Sequence, residues 1–219
     1  MNVSIIKRLR LVVVDDHEVV RVGLSLFLAD SSTEVVGTIG DATGALELIA
    51  RLEPDAVLMD VRMEDFDGLW ALEQIKVLRP RLPVVLLSSY DNPTYMARAI
   101  ALGASDYLLK NSSRDSIIES LRRGVDGLPT SPQSLLERVR RSMDLTKFVP
   151  ETLQDYSLTQ REVQVLRHIG LGLSNKEIAR SLTISVETVK EHVQNLLRKT
   201  KAADRTDAAV KAVRWGLVE

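Results

Sequence analysis

Cysteine is absent from all 219 residues. That excludes disulfides and thiolate metal sites, and it fits a reducing compartment. No stretch approaches the roughly eighteen consecutive apolar residues of a membrane-spanning helix. The N-terminus lacks the apolar run of a secretory signal, so a cytoplasmic protein with no membrane attachment is expected. Internal repeats and low-complexity tracts are missing as well. Net charge is almost missing at -1, but the balance is uneven along the chain. Residues 1–124 carry 14 Lys/Arg against 18 Asp/Glu, net -4, and residues 156–219 carry 11 against 7, net +4. An acidic front and a basic tail point to two domains with different partners, the basic one suited to a polyanion.

With 45% apolar and 27% charged residues, the composition is that of an ordinary globular protein, long enough for two cores. The first 124 residues alternate short Val/Leu-rich runs with segments of helical period. Strands are expected at "LRLVVV" (9–14), "EVVGTI" (34–39), "DAVLMD" (55–60), "PVVLLS" (83–88) and "DYLL" (106–109). Helices fall between and after them, near 18–29, 42–51, 68–78, 93–102 and 113–123. Near-continuous apolar runs belong to strands buried on both faces. Alternation of strand and helix implies parallel pairing with right-handed crossovers. The expected fold is a flavodoxin-like, doubly wound, five-stranded parallel sheet of order 2-1-3-4-5.

"GVDGLPTSP" (124–132) cannot continue the last of these helices. The linker then spans 125–156, with a helix expected at 133–145 and a loop through Pro150. From 157 to 219 the chain reads as a small all-α domain. "TQRE" and "SNKE" both fit the capping box, in which a hydroxyl and an acid satisfy orphan amides reciprocally. Helices are expected at 160–169, 175–182, 186–200 and 207–216, with starts at Ser185 and at Arg205–Thr206.

Ligands of an open parallel sheet bind at the carboxyl ends of its strands, where strand order reverses. Here strand one ends in Asp15–Asp16, strand three in Asp60, strand four in Ser88–Ser89 and strand five in Lys110. Three acids in one crevice repel each other unless a cation is supplied. Mg²⁺ suits them, since it takes few carboxylates and keeps several waters. Lys110 adds a fixed positive charge, and Ser88 a hydroxyl that can donate to an incoming oxygen. Together these groups fit acceptance of a phosphoryl group, with Asp60 attacking in line. Taken singly, "DD" after a strand is a turn or a cap, and Lys110 is a surface lysine. The conjunction at successive strand ends carries the reading.

"LVVVDDHEVVRVGL", "VLMDVRMEDFDGL", "PVVLLSSY" and "GASDYLLKNSS" resemble the receiver domain of bacterial two-component response regulators over residues 9–123. The resemblance implies Asp60 as phosphoacceptor, with Asp15, Asp16, Asp60 and the Arg62 main-chain oxygen holding Mg²⁺. It also implies Ser88 and Tyr107 as the switch pair and Lys110 as the phosphoryl-contacting lysine. One departure concerns the loop after Asp60, which includes Asp65: Glu64 stands where the family usually has Pro, adding a carboxylate and removing a rigid turn element.

The helices at 175–182 and 186–200, joined by "TIS", form a helix-turn-helix pattern. The longer run "LTQREVQVLRHIGLGLSNKEIARSLTISVETVKEHVQNLLRKT" (158–200) resembles the LuxR-type DNA-binding domain, so the chain is similar throughout to NarL/FixJ-class response regulators. Its departures are Gln160 where Pro is common and Thr200–Lys201–Ala202 where "LGV" is frequent. Val189, Val193, Leu196 and Leu197 make an apolar stripe facing the core. The opposite face offers Lys190, Glu191 and Gln194 to base edges, with Ser174, Asn175, Thr188 and Lys199 toward phosphates. A module of net +4 needs a second copy for specific binding.

The expected function is therefore a DNA-binding transcriptional regulator controlled by phosphorylation of Asp60. Its expected partners are a sensor histidine kinase, double-stranded promoter DNA and a second copy of the chain. An alternative is a pseudo-receiver governed by a ligand or partner without phosphate, toward which Glu64 points. A metabolic enzyme is not expected: Asp-nucleophile phosphatases carry a second acid two positions after the nucleophile, and Arg62 stands there.

Overall fold

The structure is a computed structural model that describes residues 8–218, apart from 31, 65, 145–152 and 154–155. Asp65 and the expected loop through Pro150 thus lie outside the described residues. Packing divides the chain into two units. One comprises described residues up to 91 together with 103–135, and the other 92–102 together with those from 136 onward.

In the first unit β1 (Leu9–Val14), β2 (Thr33–Ile39), β3 (Ala56–Asp60), β4 (Val84–Ser88) and β5 (Asp106–Leu109) form one parallel sheet in the order β2-β1-β3-β4-β5. Every residue of β3 and β4 is buried, as expected of central strands covered on both faces. Leu9, Leu11 and Val13 of β1 enter a core with Leu28 of α1 (Glu18–Leu28) and with Ile117 and Leu121 of α5 (Arg114–Val125). The alternate residues Val12 and Val14 are equally buried, and α2 (Ala42–Leu52) packs on β1 and β2. Gly37 of β2 lies so near α2 that an added Cβ would meet the Leu52 side chain at 2.6 Å.

Helix starts follow local capping chemistry. Asp41 accepts from the Gly44 amide at α2, and Asp67 from the Trp70 amide at α3 (Gly68–Leu78). Ser113 does the same for α5. The end of this unit is tied down by a buried carboxylate: Asp106, first residue of β5, accepts from Ser120 Oγ at 2.8 Å and from Ser134 Oγ at 2.5 Å.

In the second unit α6 (Leu135–Asp144) begins the part that follows the linker loop. It is succeeded by α7 (Gln160–Gly170), α8 (Asn175–Leu182), α9 (Val186–Thr200) and α10 (Arg205–Arg214). Both capping boxes form, Thr159 with Glu162 at α7 and Ser174 with Glu177 at α8. The last helix starts two residues earlier than the expected 207, at Arg205. Asp204 is the cap, accepting from the Asp207 amide, because a carboxylate there satisfies an orphan amide that Arg205 and Thr206 leave open. The core gathers Val163, Leu166, Ile169, Ile178, Val189, Leu196, Ala208 and Ala212. Ala97 and Ala101 of α4 (Pro93–Leu102) join this same cluster, and Arg98 Nε donates to Glu177 at 2.7 Å. Trp215 packs against Tyr156, with ring centroids 4.9 Å apart. Among the described residues, no helix is long and apolar enough to cross a membrane.

Candidate functional site

Strand register brings the chemistry together. Val14 stands opposite Met59, Asp60 opposite Leu87, and Ser88 opposite Leu109. The residues that end each strand therefore emerge at one level. The Val61 amide donates to Leu87 O and the Lys110 amide to Ser88 O, so pairing continues just past the strand ends and aims the following loops at one crevice.

Asp15 and Asp60 are buried there, at 1% and 5% exposure, and Ser88 at 1%. Lys110 Nζ bridges the two acids, 2.6 Å from Asp15 Oδ2 and 3.0 Å from Asp60 Oδ2. Ser88 Oγ accepts from the Tyr90 amide at 3.1 Å, which leaves its own proton to be donated. A cleft of about 540 Å³ opens over Asp60, lined also by Asp16, His17, Arg62, Glu64, Ser88 and Lys110. Burial pushes the Asp60 carboxyl above its ordinary value; Lys110 opposes that shift, and the nearby Asp15 charge reinforces it. Burial would draw the Lys110 ammonium down, yet its bonds to Asp15 and Asp60 hold it above its ordinary value. One ammonium faces three carboxylates, so the pocket keeps excess negative charge.

This donor set fits a hard divalent cation. One ligand atom each from Asp15, Asp16, His17 and Asp60 lies within 4.8 Å of the others. Opposite ligands of an octahedral ion with bonds of about 2.1 Å stand about 4.2 Å apart. A small contraction would therefore close the set around an ion, with the Arg62 loop at its rim. Tyr107 is fully buried and donates from its hydroxyl to Tyr90 O at 3.0 Å. The ring lies inside, where the Tyr90 carbonyl satisfies its hydroxyl.

Two residues at or beside this site were missed in the sequence. Gly68 follows the cap of α3, and its amide donates to Val61 O at 2.8 Å. A Cβ there would fall 2.0 Å from the Asp60 carbonyl oxygen, so only glycine lets α3 start directly beneath Asp60. The signal was a Gly closing the acidic loop. His17 was passed over although it directly follows Asp15–Asp16. Its Nδ1 lies 2.5 Å from Asp16 Oδ1.

In the second unit α9 presents Lys190, Glu191 and Gln194 on its exposed face, while Val189 and Leu196 are buried and Val193 and Leu197 pack against the core. Lys190 lies 3.8 Å from Glu187. Thr188 sits in the first turn, its amide donating to Ser185 Oγ. Ser174 caps α8, and Asn175 Oδ1 accepts from Arg205 at 2.8 Å. Lys199 was expected to face phosphates, but its ammonium turns inward to Glu162 Oε2 at 2.8 Å and to Ser157 O at 3.1 Å. The capping carboxylate of α7 is a stronger local partner for it than solvent.

Residues 11–122 match the response regulator receiver domain family, and residues 156–212 match the bacterial regulatory proteins of the luxR family. The response regulator protein VraR of Staphylococcus saprophyticus is 36% identical over 212 residues, covering 96% of this chain and 99% of its own. The chain belongs to the response regulators. As a response regulator it pairs a receiver domain with a LuxR-type DNA-binding domain. It is similar to the receiver domain of the putative response regulator NarL from Mycobacterium tuberculosis, with 35% identity and a TM-score of 0.52, covering 55% of this chain and 98% of that one. It is also similar to the response regulator ChrA of a heme-sensing two-component system, with 27% identity and a TM-score of 0.52, covering 96% and 99%.

Proposed function

We propose that this response regulator is a transcription factor switched by phosphorylation of Asp60, with a sensor histidine kinase as donor. The observation that carries the reading is the bridge from Lys110 to both Asp15 and Asp60 beside Ser88. An Asp60 carboxylate oxygen forms a bond to phosphorus as the bond from phosphorus to the donor nitrogen breaks. Lys110 and the Ser88 hydroxyl hold the transferred oxygens. Asp15, Asp16, Asp60 and the Arg62 main-chain oxygen are the residues that would hold Mg²⁺. When bound, the ion neutralises charge on those oxygens. Ser88 and Tyr107 report the change to the rest of the receiver, and a bias of about 1–3 kcal/mol between two states is sufficient.

Residues 1–124 act as the receiver, 125–156 as the linker and 157–219 as the DNA-binding domain. Lys190, Glu191 and Gln194 read base edges in the major groove, with Ser174, Asn175 and Thr188 toward phosphates. Lys199 serves there chiefly by fixing the start of α7. The regulator acts in the cytoplasm as a dimer on paired half-sites.

Acetyl phosphate with Mg²⁺ tests the central claim. Intact-mass measurement should show one phosphoryl group on the wild type and none on Asp60→Ala. Equal labelling of both proteins removes Asp60 from the role. A gel shift on the promoter beside the coding gene should tighten with the phosphoryl donor. Binding indifferent to the donor favours control by a ligand or partner, in line with Glu64 beside the pocket.

A further inference from the structure

We propose that His17 is a ligand of the receiver's cation and gives the pocket a preference for first-row transition ions such as Co²⁺ over Mg²⁺. The proposal rests on the reading of this cleft as the divalent-cation site that serves Asp60. His17 stands at the N-cap of α1 with extended backbone, yet its side chain makes no capping hydrogen bond. Ser, Thr, Asp or Asn would cap better there, so the residue is not explained by the helix. Its backbone amide is pinned instead to Asp15 Oδ1 at 3.0 Å. That bond swings the ring over the acids, with Nδ1 2.5 Å from Asp16 Oδ1 and 3.5 Å from Asp15 Oδ1. The imidazole thereby contributes one of four ligand atoms within 4.8 Å of one another.

Ligand chemistry then separates the metals. Mg²⁺ prefers oxygen donors and gives up its waters reluctantly, so an added imidazole contributes little to it. Co²⁺ and Ni²⁺ gain a bond from imidazole nitrogen, and at a given N/O site they bind more tightly than lighter divalent ions of their row. Three carboxylates alone would make a pocket for hard cations; three carboxylates with His17 make a mixed N/O site.

The test uses the untagged full chain, which has only three histidines. Mg²⁺ and Co²⁺ are titrated separately into the wild type and into His17→Ala and His17→Gln by calorimetry. Co²⁺ affinity should fall by about tenfold or more in both variants, while Mg²⁺ affinity stays within about twofold of wild type. The Co²⁺-loaded wild type should also show a hyperfine-shifted, exchangeable imidazole N–H resonance that both variants lack. Equal losses for both ions, no loss for either, or persistence of that resonance in the variants overturns the role of His17 and leaves the cation site standing. If wild type binds neither ion, or if Asp60→Asn binds both as well as wild type does, the pocket reading falls with it.

Discussion

The two units bury carboxylates in opposite ways. In the receiver, Asp60 lies at 5% exposure with a single ammonium that it must share with Asp15, and burial pushes its carboxyl upward. In the DNA-binding unit, Glu162 and Glu177 are about as buried, at 3% and 7%. Burial alone would raise them too. Lys199 with Thr159 in one case, and Arg98 with Ser174 in the other, pull both below the ordinary carboxylate range. A buried acid whose bonds are all supplied by the fold holds a helix start in place. A buried acid left short of positive charge is ready to meet an ion or a phosphoryl group.

The largest expected effect comes from Gly68→Ala, which sets a methyl against the Asp60 backbone. It should cost about 3 kcal/mol of receiver stability in urea unfolding and reduce labelling by acetyl phosphate. Unchanged stability would show that α3 can retreat from Asp60. Ser174→Ala removes the capping hydroxyl of α8 and should cost about 1 kcal/mol, with phosphoryl uptake untouched. Loss of labelling in that variant would break the contrast drawn between the units.

Acid unfolding sharpens it further. A carboxyl whose folded value is depressed contributes stability above its unfolded value, and that stability is lost as pH falls through the folded value. Replacing both Glu162 and Glu177 with Gln should therefore flatten the loss of stability below about pH 4.3. Asp60 runs the other way, since its raised value makes the folded carboxylate a cost as pH rises. Asp60→Asn should lift the melting temperature at neutral pH by a few degrees. A lower melting temperature would mean that the Lys110 bonds outweigh the cost of burial. The smallest effect is Lys201→Gly. Lys201 caps α9 with φ of 52°, the left-handed region that glycine adopts without strain. The substitution should add roughly 0.5–1 kcal/mol to thermal stability.

The fold was legible because both of its rules are local. Val/Leu runs placed the five strands within a residue of their ends, and parallel pairing then fixed which loops share a crevice. Asp15, Asp60, Ser88 and Lys110 follow from strand ends alone. What sequence could not supply was direction. Nothing in "DDH" says that the His17 amide binds Asp15 and swings the ring over Asp16. Nothing in "LLRKT" says that Lys199 turns to Glu162. Nor does the Ala-rich run of α4 announce that Ala97 and Ala101 enter the core of the second unit. The first outcome depends on a backbone turn within three residues and the other two on partners far away in sequence, and periodicity carries no record of either.

One carboxylate, that of Asp106 at the start of β5, clasps a serine of α5 and Ser134 at the root of the connector. The next residue along that strand is Tyr107, and Lys110 follows directly after its end. The connector is thus moored to the very rail on which the receiver's chemistry rides. Any sliding of that rail tugs the tether at its base, and Asp106→Ala would cut the mooring while leaving Asp60 itself intact.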